Sequence, residues 1–93
     1  MTTTQSQRVE DEFAELATDD GVPVGLEWAG EAWTVTDRPT RLLRDAAWFV
    51  PWVMHQPTVF VGWRFQARSD SGRVLVIDVL RKDGGWRVAH VWE

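Results

Sequence analysis

The sequence predicts a mainly β domain: a five-stranded antiparallel meander, strongly coiled or closed into a small SH3-like barrel, preceded by a short amphipathic helix. Three observations carry this. Short segments alternate apolar and polar residues, glycine-containing turn signals separate them, and seven tryptophans stand in 93 residues that contain no cysteine. A chain of this length buries only roughly two thirds of the surface its unfolded form exposes, so its stability margin is thin. With neither disulfide nor thiolate chemistry available, packing must compensate, and each tryptophan can bury roughly 150 to 250 Å².

Residues 1–7 are threonine, glutamine and serine after the initial methionine and read as a disordered tail. Over residues 8–20, Val9, Phe13 and Leu16 or Ala17 recur at helical spacing with acids on the other face, which predicts the amphipathic helix, ended by Asp20-Gly21 and Pro23. Residues 21–93 then form one β-rich domain.

The first hairpin is expected to turn at Gly30-Glu31, so that Trp28 faces Trp33, Leu26 faces Val35 and Glu27 faces Thr34. Leu26, Trp28, Trp33 and Val35 then share one face. Residues 37–57 are open to two readings. Pro39 followed by Leu42, Leu43, Ala46 and Ala47 allows a helix of about two turns, whereas Pro51 and Pro57 fit an irregular arm. From Val59 the alternation returns. A loop at Asp70-Ser71-Gly72 sets Ala67 opposite Leu75, Phe65 opposite Ile77, Trp63 opposite Val79, and Arg64 opposite Asp78 as an ion pair. A tight turn at Asp83-Gly84 or Gly84-Gly85 brings Trp86, Val88, His90 and Trp92 onto the face of Leu75, Ile77 and Val79. The strands are roughly 24–29, 32–37, 59–68, 73–81 and 86–92, and Trp28, Trp33, Trp63, Trp86 and Trp92 all join one apolar face.

Charge is uneven within a net of −4: one base stands against six acids through Asp20, and nine bases against eight acids from Gly21 onward. A nearly neutral body with an acidic arm lacks the basic footprint of a duplex-DNA binder. No apolar run approaches a membrane span and the start lacks an export signal, so a soluble, cytoplasmic protein is expected.

Chemistry-bearing patterns are scarce. Ser6 lies in the tail, Ser69 and Ser71 in a hairpin, and tyrosine is absent. His55 and His90 are the only histidines and no metal-ligand spacing occurs, so neither catalysis, cofactor nor metal is expected. His90 reads as a structural histidine on the tryptophan face. The acids of residues 10–15 read as a solvated helix face.

Two binding surfaces remain. The second sheet face mixes Val74, Val76 and Val91 with charged residues and needs covering, by the helix, by coiling of the sheet, or by a protein partner, a second copy included. Arg38, Arg41 and Arg44, followed by Trp48, Trp52 and His55, suit a single strand of nucleic acid, whose bases stack on aromatics for roughly 1 to 3 kcal/mol each. Against that, Trp48 and Trp52 can simply plug the end of the barrel.

The run from Pro23 to Val35, with Arg64 to Arg68 and the ending from Gly85 to Glu93, resembles a small bacterial domain of unknown function that also forms the C-terminal module of ImuB-like homologues of Y-family DNA polymerases. The likeness spans roughly residues 23–93 and rests on hairpin and core positions. It implies a β-rich recruitment module linked to DNA repair and carries no catalytic residues. The chain is therefore expected to be a non-catalytic protein-interaction adaptor and not an enzyme, with a single-stranded nucleic-acid-binding barrel as the alternative.

Overall fold

The computed structural model describes residues 7–45 and 58–93 of the chain. Seven strands are present: β1 (Gln7–Asp19), β2 (Val22–Trp28), β3 (Glu31–Val35), β4 (Thr40–Asp45), β5 (Thr58–Ser69), β6 (Val74–Lys82) and β7 (Gly85–Trp92). They form one antiparallel sheet in the order β3-β2-β1-β7-β6-β5-β4, and an added β3–β5 pairing closes six strands into a barrel with β4 as an extra strand on β5. Of the two expected arrangements, the closed barrel holds.

The largest correction concerns residues 8–20, which form most of a long strand and not a helix. Phe13 and Ala17 are spaced by four, an even number, so a strand places them in phase as readily as a helix does. In β1 an extra residue between Val9 and Glu12 takes Val9 out of that phase, and Ala14 and Leu16 pack on the core while Phe13 stays exposed. A lone helix of this length is marginal, whereas β1 gains pairing on both edges, with β7 through Gln7–Ala14 and with β2 through Glu15–Asp19. Asp20-Gly21 is the two-residue turn between β1 and β2, with φ of 55° and 81°, positive at both positions as a type I′ hairpin requires. Residues 1–6 of the expected tail lie outside the described residues, and Gln7 begins β1.

The β2–β3 hairpin turns one residue earlier than expected, at Ala29-Gly30, again with both φ positive. Leu26 therefore pairs with Trp33 and Trp28 with Glu31. The shift amounts to two positions on the partner strand, so the facing is preserved. Trp28 and Trp33 meet diagonally, with ring centroids 5.7 Å apart. Both buried indoles are satisfied: Trp28 donates to Glu12 Oε1 at 2.9 Å and Trp33 to the Trp28 carbonyl at 3.2 Å.

Residues 40–45 extend along β5 in place of the short helix. The interruption between β3 and β4 is held to β5 by Thr36 N–H donating to the Gln66 carbonyl and by Gln66 N–H donating to Asp37 Oδ1, at 2.8 and 2.9 Å. Asp37 thus replaces a ladder acceptor where Pro39 leaves the strand irregular. The remainder of the expected arm, residues 46–57 with Trp48, Trp52 and His55, lies outside the described residues.

The β5–β6 hairpin follows the expected register throughout, with Gly72 at φ 94° closing its loop. The β6–β7 turn is Asp83-Gly84. Beyond Val88, however, β7 departs from the expected facing. Val79 pairs with Val88 but Asp78 pairs with His90, so Ala89 is an extra residue and the strand's alternation inverts. Val91 turns inward, fully buried, while His90 and Trp92 turn outward.

The core comprises Leu26, Trp28, Trp33, Phe65, Ala67, Leu75, Ile77, Val79, Val88 and Val91, with Trp63 and Trp86 packed against it. No helix among the described residues is long and apolar enough to cross a membrane.

Among the glycines of the described residues, Gly62 has the least room for a side chain. A Cβ there would lie 2.0 Å from the Val79 carbonyl oxygen, beside the bulge that leaves Val61 unpaired against β4. Gly62→Ala is expected to lower the unfolding free energy by at least about 2 kcal/mol, because backbone must move. Gly72→Ala, strained only by its positive φ, should cost about 1 kcal/mol. Urea melts of the two variants check the order.

Candidate functional site

Three adjacent strands build a polar cluster on the outside of the barrel. On β6, Leu75, Ile77 and Val79 point into the core, so the alternation sends Val74, Val76, Asp78 and Leu80 outward. Asp78 is nonetheless only 4% exposed. A carboxylate so far removed from water needs charged hydrogen-bond donors, and Arg64, directly across on β5, supplies them. Its Nε donates to Oδ1 at 2.7 Å and its Nη2 to Oδ2 at 3.0 Å. This is the ion pair the hairpin register predicts, and the bond to Asp78 raises the arginine's pKa above its ordinary value.

The β7 bulge completes the cluster. His90 stands across from Asp78 on the other side, with Nδ1 3.8 Å from Oδ2. Trp92 lies beneath the guanidinium, the Arg64 Cζ 4.7 Å from its ring centroid, and 5.8 Å from the His90 ring. Arg64 is therefore gripped edge-on by Asp78 and face-on by Trp92 while its side chain stays 47% exposed. Val76, paired with Gln66 and Trp92, and Val74, paired with Arg68 and 48% exposed, continue the same surface.

The candidate residues read from sequence meet different fates. Val74 and Val76 lie on this outer face as expected. Val91 does not: the inversion at Ala89 carries it into the core, where no partner can reach it. Arg38, Arg41 and Arg44 are exposed on and just before β4, and Arg41 sits 5.2 Å over the Phe60 ring. Trp48 and Trp52, their expected companions, are outside the described residues. Sequence reasoning misses Trp92 and His90 as site residues. The one trace in the chain is Val88 and Val91, two strongly apolar residues three apart, which cannot share a face of an uninterrupted strand.

Two other polar features are present. Ser71 donates to Glu31 Oε1 at 2.8 Å and shares a 2.9 Å contact with Ser69 Oγ, which accepts from Arg73 N–H. This network ties the β5–β6 loop to β3. On the opposite wall Glu15 and Glu27 face each other directly across β1 and β2, beside an open groove of about 540 Å³ bordered by Phe13 and residues 28–32. The outer wall is thus acidic at β1–β2 and basic at β4–β5. Among the described residues, no three His, Cys, Asp or Glu side chains converge as a metal site would need.

Comparison with protein-family models, curated proteins and solved structures finds no match to this chain.

Two outcomes test the clusters. Arg64→Met, which strands the Asp78 carboxylate, should cost about 2 kcal/mol or more, the exposure of Arg64 reducing the full penalty of a broken buried pair. The double change Arg64→Met with Asp78→Leu should recover most of it in a double-mutant cycle. Glu31, held below its ordinary pKa first by the Ser71 hydroxyl and further by Ser69 and Arg73, stabilises the fold above the unfolded glutamate value of about 4.3 and loses that contribution as pH falls through its folded value. The stability gap between wild type and Glu31→Gln should therefore be present at pH 7 and close towards pH 3, measured by urea unfolding at both.

Proposed function

We propose that the chain is a non-catalytic protein-interaction module, an adaptor, which receives its partner on the outer face of β5, β6 and β7. The observation that carries this reading is the fixed Arg64–Trp92 stack anchored on the buried Asp78, with Val74 and Val76 beside it. Tryptophan and arginine are the residues that most often dominate binding energy at protein interfaces. Side chains already held in one conformation also lose less entropy on association. Apolar Val74 beside this anchor supplies contact area that a charged surface alone would lack.

The nucleic-acid reading draws support from the exposed Arg38, Arg41 and Arg44. Yet Trp33 is buried in the core, guanidinium groups already lie over the rings of Phe60, Trp86 and Trp92, and the exposed Phe13 stands beside Glu15 and Glu27, so these aromatics are poor platforms for the bases of a phosphate backbone. The protein-interaction reading is favoured for that reason. Its link to DNA repair rests on the resemblance of residues 23–93 to the ImuB-type C-terminal modules and on nothing else.

A photo-crosslinking residue placed at position 74 in the native host should yield a discrete adduct. The same residue at Val24, exposed on β2, should not. Equal labelling from both positions, or none from position 74, removes the proposed face.

A further inference from the structure

We infer that the solvent-facing edge of the Arg64 guanidinium is a recognition site for a carboxylate, supplied by an acidic, extended segment of the partner protein. The inference rests on the protein-interaction reading and adds the chemistry of the partner. Asp78 engages only Nε and one side of Nη2, at 2.7 and 3.0 Å. An arginine carries five N–H donors in a rigid fork, so Nη1 and the far hydrogen of Nη2 remain as a second pair with the spacing of a carboxylate. Among the described residues Asp78 is the only hydrogen-bond partner of the Arg64 side chain, which is 47% exposed. Trp92 beneath and Asp78 at the side fix the plane of the fork, so the free edge is held ready for a ligand.

The surroundings favour a peptide over a phosphate backbone. Arg68, two positions beyond Gln66 on the same outward face of β5, adds a second cation. Val76 and Val74 fill the strip beside these arginines, and Trp92 borders it. An extended segment whose docking face presents acidic and apolar side chains in turn at every second residue matches these arginines and valines, because alternate residues of a strand point to opposite faces. A nucleic-acid backbone instead requires a cation at each of several successive phosphates.

The test uses the full chain and NMR, reading the Arg64 Nε–H, the Trp92 indole N–H and the Val74 and Val76 methyl signals. The probe is a blocked peptide that places aspartate and valine in turn at every second position, with serine between them, and the control replaces aspartate by asparagine. All four groups should shift together and saturably with the acidic peptide, and the control should bind at least about tenfold more weakly, the loss of a charge-assisted bidentate bond. Arg64→Lys, which keeps the charge without the fork, should weaken binding by about tenfold. Because Arg64→Lys also disturbs Asp78, Val74→Asp serves as a second variant: it leaves that pair untouched and should weaken binding by a similar factor through like-charge repulsion. Equal affinity for the two peptides overturns the inference, as do shifts confined to β4. Tighter binding of oligothymidylate at the same four signals overturns it in favour of nucleic acid. If the crosslink from position 74 forms while the acidic peptide fails, the face stands and the carboxylate chemistry alone falls.

Discussion

Pairing of β1 along both edges underlies the whole wall. An antiparallel sheet of this length leaves two rows of unpaired amide and carbonyl groups unless it closes on itself. Here β7 takes the first part of β1 and β2 takes the last, and the β3–β5 pairing completes the ring. Without β1, the edges of β2 and β7 would both be open and the inner faces of Leu26, Val88 and Val91 would lose their cover.

Closure also explains the irregularities. A small barrel coils more tightly than a regular sheet allows, and bulges supply the local bend. They occur at Val24 on β2, at Ala89 on β7, at Val61 on β5 and between Val9 and Glu12 on β1, each an extra residue against its neighbour. The bulge at Ala89 has the largest consequence. It inverts the alternation within one strand, so the residues on either side serve different surfaces: Val88 and Val91 fill the core, while His90 and Trp92 join Asp78 and Arg64 outside. The candidate binding surface is thus a product of the same distortion that lets the barrel close.

Packing against tryptophan offsets the small size of the domain. Trp33 and Trp28 lie at the centre, each with its indole N–H bonded, and Trp63 and Trp86 seal the edges of the core. Around them guanidinium groups lie over aromatic rings in five places, from the buried Trp33 to Phe13, which stays 61% exposed. The free fork of Arg64 stands out against this background because its ring and its carboxylate hold it in place without consuming its outer edge.

Features that depend on neighbouring residues are legible in the chain alone. Asp70-Ser71-Gly72 and a turn at Asp83-Gly84 or Gly84-Gly85 define two hairpins, because glycine meets the positive φ their turns demand, and the structure takes the first of the two choices. Register follows from those turns, and with it the Arg64–Asp78 pair and the inward facing of Phe65, Leu75, Ile77 and Val79. The secondary structure of residues 8–20 is instead settled by long-range pairing, since a spacing of four suits helix and strand alike until two open edges compete for it. The same holds for the placement of Trp92, His90 and Val91. A bulge at Ala89 costs little locally and leaves no turn residue to mark it; what selects it is the curvature that closing six strands into one barrel imposes.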